Sequence, residues 1–300
     1  MNRRLIKKIL KKKHDEFCAS IRDENVRALV KKNALITGGS IVSLLLKEPI
    51  KDFDYYFRNK ETVEAVARYY AQWFIALNPE GLSPTVEVSG ERVRIVIPSA
   101  GVASDESDET ERERVEAMEG SLDMGTTQED AGTDAIAYRP VFLSENAITL
   151  SNKVQLVVRF HGEPEDIHKN YDFVHCTNYW TAWDDTLVLR PAALESILAR
   201  ELFYVGSLYP LCSVIRTRKF LKRGWRINAG QYLKMCFQIS ELDLSDIGVL
   251  QEQLTGVDAA YFMQIIDYCK KRQETEPDFN VTMPYLCKIV DRIFGGPDDA

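Results

Sequence analysis

An α/β (α+β) domain on a mixed sheet, followed by an all-helical domain, is the fold class this sequence predicts. Three observations carry that reading. Up to about residue 180, short apolar runs of strand character alternate with stripes at helical spacing. Beyond Trp183 every apolar pattern has helical spacing, with glycine, proline and polar breaks between segments. Between two groups of strands, Ser99 to about Ala135 loses its apolar residues and reads as one long insert.

Taken in order, residues 3–32 predict a helix, from Leu5, Ile6, Ile9 and Leu10 and a second stripe of Phe17, Ile21, Val26, Leu29 and Val30. Ala34-Leu35-Ile36-Thr37 is a short strand stopped by Gly38-Gly39, and Ser40 is placed to cap a helix over Ile41–Lys47. Pro49 ends that helix, and Lys51–Phe57 has the aromatic content of a strand. Glu61–Leu77 predicts a helix; Val86–Val88 and Val93–Ile97 alternate around Gly90 as a hairpin. Strands resume at Ala147–Leu150 and Val154–Phe160, then a helical turn at Pro164–Lys169 and a strand at Tyr171–Tyr179. Helices are expected at Ala192–Val205, Leu211–Lys222, Ala229–Ile239, Ser245–Leu254, Ala259–Lys271 and Met283–Phe294. The domains expected are 1–180 and 181–300, with the linker near residues 181–190.

Composition bounds the function. No run of 18 apolar residues exists, so no membrane-crossing helix is expected. The basic N-terminus has no apolar stretch behind it, so a secretory leader is not expected either. Six scattered cysteines without CxxC spacing suit thiols in a reducing compartment, hence a cytoplasmic address. The net charge of -7 is misleading, because residues 100–134 hold twelve acidic and two basic side chains. The rest of the chain is mildly basic, which admits phosphate-bearing partners. The acidic stretch, 99–135, reads as a disordered insertion, with an RNA-mimicking lid as the alternative. The basic first turns read as a solvated helix face, with RNA or another anion as the alternative.

The chemistry concentrates between residues 36 and 54. In a strand, Asp52 and Asp54 share a face about 6.6 Å apart, while Phe53, Tyr55 and Phe57 turn to the other. Two carboxylates beside a loop rich in backbone donors suit one or two Mg²⁺ ions. Gly38 and Gly39 let backbone N–H groups approach a triphosphate, Ser40 adds a hydroxyl, and the helix N-terminus adds its dipole. Alone, either the glycine pair or the DxD is weak; a strand–GGS–helix–turn–DxD unit is far more specific.

That unit, Ile36 to Asp54, resembles the signature of the polymerase-β-type nucleotidyltransferase superfamily, nearest to the CCA-adding enzyme and bacterial poly(A) polymerase branch. The resemblance implies a nucleotidyltransferase-like head with a mixed sheet and a helical neck and body. It implies that Gly38, Gly39 and Ser40 hold NTP phosphates and that Asp52 and Asp54 hold two catalytic Mg²⁺ ions. It also asks for a third carboxylate after the strand Val154–Phe160, where Asp172 is the candidate and Asp166 stands behind it. Arg159, Arg216, Arg218 and Lys219 become candidates for nucleotide or RNA phosphate, each with a surface role as the alternative; His168 and His175 read as structural. Val42-Ser43 stands where the family has Arg-Asp, Asn170-Tyr171 where it has Arg-Arg, and no Glu-Asp-x-x-Arg template appears. The activity implied is NMP transfer from an NTP to a hydroxyl, an RNA 3′ end first, and CCA addition is not expected. The alternatives are a catalytically silent fold that binds RNA or serves as a scaffold, and a transferase acting on a small molecule or protein.

Overall fold

The structure is a computed structural model that describes residues 2–79, 83–97 and 137–253, together with 270–272, 274–275, 282, 284–285 and 287–288. The expected insert at 99–135 and most of the expected helices 259–271 and 283–294 lie outside the described residues. The chain divides into two compact units, with the break between Ala199 and Arg200.

In the first unit, α1 (Arg3–Ser20) and α2 (Glu24–Asn33) replace the single helix expected over 3–32. Ile21 is extended at the end of α1, and the Asp23 carboxylate accepts from the N–H groups of Asn25 and Val26, 2.8 and 3.0 Å away. That cap starts a new helix two residues after the first has ended. Strand β1 (Ala34–Thr37) leads into α3 (Gly39–Leu46), and β2 (Phe53–Phe57) into α4 (Lys60–Leu77). Asp52 therefore sits one residue ahead of the strand in which it was expected. The hairpin β3 (Thr85–Ser89) and β4 (Arg92–Val96) forms around Gly90, whose φ of 57° suits a tight turn. Strands β5 (Pro140–Leu143), β6 (Ala147–Leu150) and β7 (Val154–His161) follow, then α5 (Pro164–His168). Residues 171–179 are not a strand. They hold a 3₁₀ turn at Val174–Cys176, and only from Tyr179 does the chain extend, into β8 (Tyr179–Thr181) and β9 (Thr186–Val188). Helix α6 (Pro191–Ala199) closes the unit; Arg200 takes a φ of 49° there, so the helix stops short of Val205.

Seven strands form one mixed sheet in the order β5-β6-β7-β2-β1-β8-β9, in which only the β2–β7 pair is parallel. Alternation along β2 sends Phe53, Tyr55 and Phe57 into the main core, with Ile6, Leu10 and Phe17 of α1, Val63, Val66 and Tyr70 of α4, and Leu156 and Val158 of β7. The opposite face carries a smaller cluster, Leu35, Tyr56 and Ile167, packed by Val157, Phe160, Tyr171, Tyr179 and Trp183. Asp54 belongs to this second face, since it alternates with Phe53 and Tyr55.

The second unit contains α7 (Pro210–Lys222), α8 (Ala229–Ser240) and α9 (Ile247–Gln253), with α7 packed on both of the others. Cys212, Trp225, Met235 and Leu250 are buried within it. No helix among the described residues is long and apolar enough to cross a membrane.

Replacing Asp23 by Ala should lower the unfolding free energy by about 1 kcal/mol. Urea denaturation checks this; an unchanged midpoint would mean that the α1–α2 break is held by other contacts.

Candidate active site

The site is assembled where β1 ends. Antiparallel pairing sets Thr37 directly opposite Asp54, parallel pairing sets Gln155 on the other flank of Asp54, and Tyr179 lies beyond Thr37. These side chains share one row on one face of the sheet.

After Thr37 the chain turns through Gly38, at φ 85° and ψ -147°, and α3 starts at Gly39. A Cβ on Gly38 would stand 2.7 Å from Asp54 Oδ2 and 3.6 Å from the Tyr171 hydroxyl. Both the dihedrals and the clearance demand glycine there. Its N–H donates to the Cys176 carbonyl at 3.2 Å, which pins the turn to the 3₁₀ segment. Gly39 is exposed, with open space where a side chain would be. Ser40 is not the helix cap that its position in the sequence predicts, because Gly38 occupies the cap position. Instead Ser40 is buried in the first turn of α3, 1% exposed, and its Oγ finds no hydrogen-bond partner among the described residues. A hydroxyl left so is costly unless a ligand completes it.

Asp54 keeps some exposed surface but is ringed by protein atoms. Burial pushes its carboxyl well above the usual carboxylate range, and the nearby Asp52 charge adds to the shift. The structure thus brings Gly38 and Asp54 together, with Ser40 two residues along the chain and Asp52 within electrostatic reach. Hard oxygen donors, an orphaned hydroxyl and a raised carboxyl pKa fit a hard divalent cation accompanied by an anionic ligand.

The later segment departs from expectation. Its residue beside Gly38 and Asp54 is Tyr171, which bonds Tyr56 and whose pKa is raised by burial. Asp172 is buried in the same turn, 8% exposed. Among the described residues no group of three His, Cys, Asp or Glu side chains is arranged to hold a metal ion. Asp166 is exposed and bonded by Lys169 at 2.7 Å. Arg159 lies four residues beyond Gln155 on β7, where the β2–β7 pairing is irregular. There its guanidinium contacts Asn146 at 3.5 Å and lies 5.5 Å from the centre of the Phe160 ring. Arg216, Arg218 and Lys219 are on α7 of the second unit.

His168, read from the sequence as structural, has a specific place in the fold of the site. The Thr37 hydroxyl has one proton, and the Asn178 carbonyl 2.9 Å away accepts it. The Thr37 oxygen then accepts from His168 Nε2–H at 2.9 Å, which assigns the neutral tautomer. Burial, with Arg190 nearby, pushes the His168 pKa down to about 3. Its ring meets Tyr171 edge-on at 5.0 Å. One buried imidazole therefore supports both Thr37 and Tyr171. Its sequence signal, a lone histidine after an acidic turn, was too generic to single it out.

The family model described as "Gabija anti-defense 2 family protein" matches residues 8–200, nearly two thirds of the chain. The chain belongs to the Gabija anti-defense 2 family. In this family member the match covers nearly all of the first unit, with the whole Gly38–Asp54 arrangement inside it. No curated protein matches its sequence. Among solved structures, it is similar to a Thermotoga maritima CCA-adding enzyme complexed with tRNA, at 10% identity and a TM-score of 0.38, over 90% of this chain and 57% of that one. A Bacillus stearothermophilus CCA-adding enzyme in complex with CTP matches at 13% identity and a TM-score of 0.36, over 78% of this chain and 47% of that one. A tRNA-processing enzyme with CTP matches at 13% identity and 0.36, over 85% and 58%. The chain thus spans about half the length of each of these proteins.

His168 and His14 are both buried neutral, with pKa values lowered to about 3 and about 4. The unfolded chain binds these protons near pH 6.5, so their contribution is complete above that pH and is lost as pH falls toward 4. Each should contribute a slope of about 1 kcal/mol per pH unit in that window. His168→Gln should flatten the acid limb of a melting-temperature profile; an acid limb as steep as the parent's would contradict the buried neutral assignment.

Proposed function

We propose that this protein is a metal-dependent nucleotidyltransferase, moving an NMP from an NTP onto a hydroxyl acceptor with release of pyrophosphate. The observation that carries the reading is the placement of Asp54 against a glycine turn that tolerates no side chain, two residues from a buried hydroxyl without a partner. A triphosphate supplies what this site lacks: acceptor oxygens for the Gly39 and Ser40 N–H groups and for the Ser40 Oγ–H, at the positive end of α3. Asp52 and Asp54 would hold Mg²⁺ alongside that triphosphate. Bound there, the metal supplies charge neutralisation and polarisation of the phosphoryl oxygens. The protein's own share is orientation. Gly38 fixes the turn, Thr37 and His168 brace it, and the carboxylates fix where the cation and phosphates meet.

The acceptor is the open part of the reading. The sequence resemblance suggests an RNA 3′ end. The family description points instead to action against the Gabija defence, and an acceptor hydroxyl on a component of that defence, protein or nucleic acid, suits such a role. The same chemistry serves either, because the acceptor is selected outside the phosphate cradle.

Incubation with each labelled NTP, Mg²⁺, total RNA and components of the defence named by the family should give label transfer to one acceptor. Asp54→Asn should reduce it at least a thousandfold while the protein stays folded. Transfer by that variant at the parental rate would refute the reading. NTP binding without transfer to anything would favour the silent fold.

An independent check uses stability. A carboxyl whose pKa is raised on folding contributes stability below its unfolded pKa and loses it as pH rises through the folded value. At neutral pH without metal, Asp54→Asn should therefore melt higher than the parent, by about 2–4 °C for each kcal/mol relieved. Mg²⁺ with NTP should raise the melting temperature of the parent alone, and equal shifts in both proteins would remove Asp54 from the cation site.

A further inference from the structure

We propose that Tyr171 is a phosphate-binding residue, its hydroxyl closing the cradle opposite Gly38 and Ser40 and donating a hydrogen bond to the bound triphosphate. The inference rests on the nucleotidyltransferase reading and names a contact which that reading does not contain.

Four observations support it. The Tyr171 hydroxyl lies 3.6 Å from where a Gly38 Cβ would be, the space that the glycine leaves clear beside Asp54. Tyr171 keeps some exposed surface, while its hydroxyl is enclosed beside the cradle, where burial raises its pKa. Its ring is fixed on two sides, edge-on to His168 at 5.0 Å and tilted against Tyr56 at 6.1 Å. Finally, its hydroxyl is bonded to that of Tyr56, a partner with which proton direction can reverse. When Tyr56 donates to Tyr171, the Tyr171 proton is free to turn toward a phosphate oxygen without leaving either oxygen unsatisfied. A purely structural phenol would need only its bond to Tyr56, not a hydroxyl beside the space that Gly38 leaves clear.

The phosphate contact also has a place in the charge balance. The cradle has two carboxylates on one side, and Thr37 opposite Asp54 and Tyr171 beside Gly38 are neutral hydrogen-bonding groups. A neutral O–H donor adds affinity for phosphate without competing with a cation for the carboxylates.

The test uses the full chain and two probes: a fluorescent ATP analogue with Mg²⁺, and inorganic triphosphate in EDTA. Tyr171→Phe keeps the ring and removes the donor. Both probes should bind about tenfold more weakly, the effect of one hydrogen bond to a charged group, with the melting temperature lowered by a few degrees because the Tyr56 hydroxyl loses a partner. Tyr56→Phe should weaken both by a smaller factor, because it removes only the partner that orients the phenol. Parental binding by Tyr171→Phe, alongside loss of binding by Ser40→Ala, would overturn this contact and leave the nucleotidyltransferase reading standing. If Tyr171→Phe fails to fold, parental binding by Tyr56→Phe overturns the contact instead. If the parent binds neither probe, both inferences fall together.

Discussion

The arrangement depends on one pairing: antiparallel β1 and β2, in register so that Thr37 faces Asp54. A shift of one residue would send Asp54 into the main core and Phe53 or Tyr55 out of it. The register is secured by burial, because Ile36, Tyr55 and Phe57 are all inaccessible on the other face. Apolar packing on one side of the sheet thereby decides where a carboxylate stands on the other. The glycine turn follows at once, since the chain leaving Thr37 passes beneath that carboxylate at a distance no Cβ could share.

Around this point the protein accepts several local costs. A serine hydroxyl is buried without a partner, a carboxyl is driven above its normal pKa, and His168 Nδ1 is buried without a hydrogen bond among the described residues. Each is unfavourable alone, typically by about 1–3 kcal/mol. The main core has comparable groups in the Tyr55 and Tyr70 hydroxyls. Such costs persist where the surrounding structure over-determines them, and they concentrate at places built to receive a ligand. The triphosphate of the proposed reaction would meet the Ser40 cost directly.

Much of this was legible in the sequence, and the limits follow from distance along the chain. The Gly38–Asp54 unit spans a single strand–helix–strand excursion, so its glycines and carboxylates could be related by local geometry alone. The strands at Ala147 and Val154 and the helix before Leu77 announce themselves by periodicity. The break between α1 and α2 was missed although Asp23 is a good cap, because the apolar stripe continues through Ile21 and masks it. Reading 171–179 as a strand failed for a similar reason, as its aromatics serve a turn that packs over β1 rather than a ladder. Tyr171 and His168 reach the site from 117 and 114 residues beyond Asp54, and no local pattern specifies which side chain of a turn points inward.

The neutrality of the inner shell gives the last step. Thr37, His168 and Tyr171 offer hydrogen bonds but no positive charge, and the His168 pKa lies too far below neutrality for protonation to supply one. Arg159 is held by neighbours some distance along β7. Asp54 is met across the sheet by a hydroxyl, and burial beside the Asp52 charge makes its ionised form expensive. On the proposed reading, a divalent cation and the anion that travels with it would relieve that cost.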